Sequence, residues 1–344
     1  MIKVAVAGLG RQGMLHLMNC FHVDDVQVVA AADMSKKARN KAKSLGVKNV
    51  YEEYEKMLKS HSDLDAVILA MPNFLHLSSI QLALEAGLNV FTEKPLANTA
   101  SECQQIVNLT RKSGRKLMVG HNCRFYDLSE KMKQQLNYGS IGDVEVVTAE
   151  EVINGPFAHP YVPTPVSEWW FDPKKAGGGV LLDIGYHMID LFRFFAGEAR
   201  VLHAYLGHRL NLPIEDTAII LLQSISSNAK GIINVGWYER TIFPRFDFRI
   251  ILHGNAGYLS SEDLVPRNIY THAVRVGMKN ILKRVVGRKI TPLSYTYFYE
   301  SYYKELKHFF DCVRTGSEPS VSAEDGLRTI ETIEEAYQKA EKAV

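Results

Sequence analysis

An aspartate and a histidine stand four residues apart in the segment Gly177-Gly178-Gly179-Val-Leu-Leu-Asp183-Ile-Gly185-Tyr-His187-Met-Ile-Asp190. If this segment is helical, Asp183 and His187 lie on one face, one turn apart, which is the arrangement of an acid–base pair. An imidazole titrates close to neutral pH and could take a proton from a hydroxyl, while the carboxylate orients the ring and stabilises its charged form. The plainer alternative is a helix whose histidine satisfies a buried polar contact, and the apolar Ile184, Met188, Ile189, Leu191 and Phe192 around it suit that reading equally. Asp190 fits structural support better than chemistry. A lysine stands in Phe91-Thr-Glu93-Lys94-Pro95. Its ammonium could stabilise negative charge developing on a reacting oxygen. Pro95 fixes the local backbone in a cis or a trans bond. Taken alone, Lys94 reads just as well as a solvated turn residue.

A third group is glycine-rich. Val4-Ala-Val-Ala-Gly8-Leu-Gly10-Arg11-Gln12-Gly13 has the G-x-G-x-x-G spacing between a strand and a helix. Gly8 would make the tight turn, Gly10 would let the backbone approach a pyrophosphate, and Gly13 would pack helix against strand. The helix N-terminus, with Arg11 and Gln12 in its first turn, then offers free amides and the positive end of its dipole to phosphates. Asp33 ends the second strand, 20 residues beyond Gly13, where a carboxylate receives the adenosine ribose hydroxyls. It would repel a 2′-phosphate, so NAD is expected over NADP, although Lys36 and Lys37 could swing toward a phosphate.

These groups need elements to hold them. From Met1 to His121 short apolar runs alternate with helix-like stretches, the rhythm of a parallel sheet covered on both faces. The strand candidates are 3–7, 26–32, 66–70, 89–92 and 117–119; the helix candidates include 13–21, 36–45, 76–86 and 100–113. Beyond His121 the alternation stops. A helix over 127–138, a strand over 144–152, a loop with Pro156, Pro160, Pro163 and Pro165, and a helix over 182–195 lead into a β-rich stretch from about Arg200 to Tyr270. Consecutive strands without helices between them imply antiparallel pairing. Helices over 297–315 and 323–342 follow, the second opened by Ser322 with Asp325 three residues later, as in a capping box. The expected organisation is a dinucleotide-binding domain over 1–121 and a substrate and oligomerisation domain over 122–344.

Composition excludes several classes. With 344 residues, 23% charged and a net charge of +2, the chain has room for two cores and no general affinity for polyanions, so nucleic acid is not expected. Cys20, Cys103, Cys123 and Cys312 have poor spacing for zinc or a disulfide framework and read as reduced thiols. No apolar run approaches the ~20 residues that span a bilayer, and no signal-peptide pattern precedes Ile2, so the cytoplasm is the expected location.

Together, the motifs resemble the Gfo/Idh/MocA family, the glucose-fructose oxidoreductase and inositol dehydrogenase group. The resemblance runs through the glycine fingerprint, Asp33, Met71-Pro72-Asn73 with His76, Glu93-Lys94-Pro95, Gly120-His-Asn122 with Arg124 and Phe125, and Gly178 to His187. It implies an α/β N-terminal Rossmann domain plus an α+β C-terminal domain with an open, mostly antiparallel sheet that often forms the contact in dimers or tetramers. It places the family's catalytic lysine on Lys94, its aspartate on Asp183 and its histidine on His187. It adds Met71, Pro72, Asn73, His76 and Glu93 to the cofactor set.

The activity then expected is an NAD-dependent oxidoreduction of a secondary alcohol or ketone on a sugar. His187 would act as base, Asp183 would orient it, Lys94 would hold the reacting oxygen, and no metal is required. Residues suited to a hydroxyl-rich ligand are Asn122, Arg124, Tyr126, Trp169, Trp170, Tyr186 and Tyr238, though most would serve equally in a core. Trp169 and Trp170, following the proline-rich loop, suggest a lid. The stretch from Arg267 to Lys289 carries Arg275, Lys279, Lys283, Arg284 and Arg288 without an acid. It reads first as a solvated basic helix, and second as a patch for an anionic group or a membrane surface. It and the tyrosine-rich segment after it look similar to dehydrogenases that oxidise a UDP-amino sugar at ring carbon three, so a nucleotide sugar is the leading expectation, with a free sugar or cyclitol close behind. Two other classes stay open: a glycoside hydrolase that uses NAD transiently, and a non-catalytic NAD-binding sensor.

Overall fold

The computed structural model describes residues 1–153, 155, 167–237, 248–264, 269–288, 290 and 297–341. In chain order the elements are β1 (Ile2–Ala7), α1 (Arg11–Cys20), β2 (Val26–Ala32), α2 (Lys36–Ser44), β3 (Asn49–Tyr51), α3 (Tyr54–Ser60), β4 (Ala66–Leu69), α4 (His76–Glu85), β5 (Asn89–Glu93), α5 (Ala100–Ser113), β6 (Leu117–Gly120) and α6 (Asp127–Asn137). There follow β7 (Val144–Val152), α7 (Pro173–Ala176), α8 (Tyr186–Ala196), β8 (Ala199–Gly207), β9 (Thr217–Ser224), β10 (Lys230–Gly236), β11 (Arg249–Gly254), β12 (Gly257–Ser260), α9 (Ser261–Leu264), α10 (Ile269–Val285), α11 (Tyr297–Thr315), α12 (Ala323–Lys339) and β13 (Ala340–Glu341). The chain packs as two compact units. One comprises Met1–Ala97, Ser101–Phe125 and Asn268–Gly326, the other Asn98–Ala100, Tyr126–Arg267 and Leu327–Val344. The expected division at residue 121 follows chain order, whereas the packing unit of the first sheet also takes in α10 and α11.

In the first unit a parallel sheet runs in the order β3-β2-β1-β4-β5-β6. Every residue of β4 and β6 is buried, because helices cover both faces and an alternating strand would place polar groups against them. The order reverses between β1 and β4, and the carboxyl ends of strands at such a switch point form the crevice where doubly wound folds bind ligands. Two short elements lie outside the sequence expectation. Three-residue β3 pairs with the end of β2, and α3 follows it; neither is long enough to show a period. The capping box at Ser322 is formed, with reciprocal bonds between Ser322 and Asp325.

In the second unit the strand order is β12-β11-β7-β10-β9-β8-β13. Pairing is antiparallel except for β7 with β10 and β8 with β13, so the sheet is mixed but mostly antiparallel. Along β8, β9 and β10 buried residues alternate with outward ones, and Phe192, Leu191 and Met188 of α8 lie in the buried core on the inner side. The expected helix over 182–195 is not uniform. Residues Leu181–Gly185 form a π-helical turn, and only from Tyr186 does α8 become a regular α-helix.

Candidate active site

The nucleotide-facing half is built at the ends of β1, β2 and β5. Gly8 leaves β1 with φ +82°, and a Cβ there would meet the Ala70 carbonyl oxygen at 2.4 Å. A Cβ on Gly13 would meet the Gly8 carbonyl oxygen at 1.7 Å, so the turn closes only around two residues without side chains. Gly10 differs: a Cβ there meets nothing within 4 Å, and no side chain caps the α1 N-terminus. Open space against uncapped amides is what a pyrophosphate requires, so these residues fit a dinucleotide. Asp33, half-buried after β2, accepts from the amides of Leu9 (2.5 Å) and Ser35 (2.6 Å). Arg39, absent from the sequence expectation, bonds the Asp33 and Met34 carbonyls and Glu52, whereas Lys36 and Lys37 are exposed. Arg11 is exposed at the start of α1, and Gln12 donates to the Tyr302 hydroxyl at 3.0 Å.

Lys94 is half-buried beyond β5, and its backbone is pinned on both sides. Its amide donates to Glu93 Oε2 (3.2 Å), and the Lys94–Pro95 bond is cis. The Pro95 carbonyl meets Nδ1 of His76 at 2.8 Å, while Nε2 meets the Met71 carbonyl at 3.0 Å. His76 is thus a buried clamp between two loops, and burial lowers its pKa against the pull of those carbonyls. Met71, Pro72 and Asn73 are half-buried beside it.

Behind Lys94 lies a titratable cluster that sequence reading missed. His16 of α1, Glu93 of β5 and Glu305 of α11 bring their ligand atoms within 4.8 Å of one another. His16 Nε2 donates to Glu93 Oε1 at 2.6 Å, which engages that nitrogen as a donor rather than as a metal ligand. Burial opposes ionisation of Glu93, but the hydrogen bond and charge of His16 and the charge of Lys94 hold its carboxyl below the ordinary range. Glu305 is pushed well above that range by burial and then by the charge of Glu93, so its carboxyl is neutral where Glu93 is ionised. Residues this far apart in the chain carry no local signature of meeting.

In the second unit, the expected pair of Asp183 and His187 falls in the π turn and at the start of α8. Asp183 is half-buried and His187 is buried, and the turn that separates them is anchored by Glu215, just before β9. One oxygen of Glu215 accepts from the amides of Gly179 (2.8 Å) and Leu181 (3.0 Å) and from the Tyr337 hydroxyl (2.8 Å). Burial raises the Glu215 pKa, and those three bonds pull it back only in part. The glycine run is explained here. A Cβ on Gly179 would meet the Glu215 carbonyl oxygen at 2.0 Å, and one on Gly178 would meet the Tyr337 hydroxyl at 2.1 Å. Sequence reading missed Glu215 and Tyr337, though consecutive glycines before a helix do signal a close approach. Asp190 is structural, as expected: buried, it accepts from Thr329 and lies 3.6 Å from Arg193, which is forked onto Glu198.

Several residues proposed for a hydroxyl-rich ligand are committed elsewhere. Asn122 is buried and donates to Ser301; Arg124 bonds the Ser320 carbonyl and Asp325. Tyr126 is buried edge-on to Phe248, and Tyr186 is buried as well. Trp169 and Trp170 are half-buried with ring centroids 5.3 Å apart. Tyr238 and the proline-rich loop lie outside the described residues.

Residues 2–121 match the family described as "Oxidoreductase family, NAD-binding Rossmann fold", and residues 133–344 match its "C-terminal alpha/beta domain". The chain belongs to the Gfo/Idh/MocA family. This Gfo/Idh/MocA oxidoreductase is 26% identical over 338 residues to the myo-inositol 2-dehydrogenase of Thermotoga maritima, covering 94% of this chain and 92% of that protein. It is likewise 26% identical to the scyllo-inositol 2-dehydrogenase (NAD(+)) of Bacillus subtilis, covering 96% and 91%. Its fold matches the crystal structure of scyllo-inositol dehydrogenase from Lactobacillus casei with bound NAD(H) and scyllo-inositol, at a TM-score of 0.80 and 24% identity, covering 99% and 97%. NAD is accordingly the cofactor of its Rossmann domain.

Proposed function

We propose that the protein is an NAD-dependent dehydrogenase of a ring secondary alcohol on a free sugar or cyclitol. The observation that carries this reading is the π turn, where buried His187 follows half-buried Asp183 on a segment held by three donors to Glu215, in a chain whose other unit binds NAD. Bound NAD supplies the hydride acceptor. His187 takes the hydroxyl proton, Asp183 orients the ring and offsets the imidazolium charge, and Lys94 donates a hydrogen bond to the oxygen as it gains negative charge. Gly8, Gly10 and Gly13 hold the pyrophosphate, and Asp33 selects NAD over NADP by repelling a 2′-phosphate. The nucleotide-sugar expectation rested on the resemblance of the basic stretch and the tyrosine-rich segment after it. The inositol dehydrogenases among the relatives weigh toward the smaller, uncharged substrates.

Two further features fit the same reading. The outward face of β8–β10 sets Tyr205 opposite Ile219 and Leu221 opposite Ile232, all exposed, which suits burial against a second copy in a homodimer or homotetramer. The four cysteines are buried and form no disulfide among the described residues, which suits a reducing cytoplasm.

The test is to follow NADH formation with NAD and a panel of inositols, free hexoses and pentoses, and UDP-sugars. A cyclitol or free sugar is expected to react, with NADP serving poorly. Turnover confined to UDP-sugars would restore the nucleotide-sugar reading. Glycoside cleavage without net NADH, or NAD binding with no reaction at all, would refute the dehydrogenase.

A further inference from the structure

Helix α10 is not used by the chemistry above, and its surface is unusual for a helix of a globular unit. Val274, Met278, Ile281, Leu282 and Val285 are 60% to 79% exposed. At 3.6 residues per turn they fall on one face, opposite the buried Asn280. Soluble surfaces rarely leave such a continuous apolar stripe uncovered.

The flanks of the stripe are cationic. Arg275 and Lys279 border it on one side and Arg284 on the other, with Lys283 beyond and Arg288 just past the helix end. From Leu264 to Tyr299 the chain contains no aspartate or glutamate, in a protein whose net charge is only +2. An uncovered apolar stripe bordered by cations complements an anionic lipid surface, where side-chain carbon enters the headgroup boundary and ammonium and guanidinium groups meet phosphates. Spanning is a different matter: among the described residues no helix is long and apolar enough to cross a membrane.

We propose that α10 docks this protein on an anionic lipid bilayer, lying in the plane of the membrane surface with its apolar stripe inserted. This inference does not rest on the identity of the oxidised substrate.

Co-sedimentation of the full chain with phosphatidylcholine vesicles, with and without phosphatidylglycerol, tests it. The protein should bind the anionic vesicles, bind the neutral ones weakly, and dissociate as salt is raised. Lys279→Gln with Arg284→Gln should weaken binding about fivefold per cation removed. Met278→Ser with Leu282→Ser should weaken it by about tenfold or more. Both double variants should keep the wild-type melting temperature and NAD affinity, which separates loss of docking from loss of fold. Equal binding to neutral and anionic vesicles, or none to either, would overturn the proposal. So would a charge variant that loses affinity for a soluble UDP-sugar while the protein ignores vesicles, or an apolar variant whose only defect is lost self-association.

Discussion

Replacing Glu215 separates the anchor of the π turn from its charge. One carboxylate oxygen accepts three hydrogen bonds, from the Gly179 and Leu181 amides and the Tyr337 hydroxyl, at a site only 4% exposed. Glu215→Ala strands all three donors, and each unsatisfied buried donor costs about 1–3 kcal/mol. Partial relaxation and the relief of a buried carboxylate offset some of this, leaving an expected loss of about 3–5 kcal/mol. Glu215→Gln keeps an acceptor oxygen in the same place and should cost at most about 1 kcal/mol. The pH dependence sharpens the contrast. A glutamate whose folded pKa is raised contributes stability that is complete below its unfolded value of about 4.3 and fades as pH rises through the folded value. Burial raises Glu215 in this way, so the stability of Glu215→Gln relative to wild type should improve as pH rises through that range. Urea unfolding at a series of pH values, with NADH turnover measured alongside, reads both effects. A glutamine variant as damaged as the alanine variant at every pH would refute the reasoning, because the negative charge would then be what holds the turn. An alanine variant within about 1 kcal/mol of wild type would show that the three bonds anchor nothing.

Other outcomes follow from the same geometry. His187→Ala should lower turnover by about two to four orders of magnitude while the NAD dissociation constant from calorimetry stays within a few-fold; unchanged turnover would remove His187 from the chemistry. Gly10→Ala should leave the melting temperature intact, since its Cβ meets nothing, yet weaken NAD binding by at least about tenfold if that open space takes the pyrophosphate as proposed. Gly8→Ala, by contrast, should destabilise the fold itself, as a thermal melt would report, because its Cβ would press on the Ala70 carbonyl at positive φ. Glu305→Gln should be nearly neutral below the ordinary glutamate range and relatively more stable as pH rises, since the raised carboxyl loses its contribution on ionising; a uniform loss across pH would contradict a neutral Glu305.

Locally encoded features were the legible ones. The G-x-G-x-x-G turn and Asp33 lie within a few dozen residues, and every strand of the first sheet except three-residue β3 shows as an apolar run because helices cover both faces of the sheet. Asp183 and His187 could be singled out by spacing, but not the π turn between them, which depends on a carboxylate from before β9. Asn122, Arg124 and Tyr126 looked available for a ligand, since polarity alone does not say whether a side chain faces a crevice or pays its burial with Ser301, Asp325 or Phe248.

By itself, the sequence determined the fold class, the nucleotide turn and the NAD cofactor, because these are carried by local spacing and by repeated apolar runs, and it singled out Lys94, Asp183 and His187 only as candidates. Only the tertiary structure decided that Glu215 and Tyr337 hold the π turn, that His16 and Glu305 flank Glu93, and that α10 and α11 pack with the first unit. Periodicity records whether a side chain is buried. Which distant donor or carboxylate it meets there depends on how remote elements are packed, and no local pattern carries that.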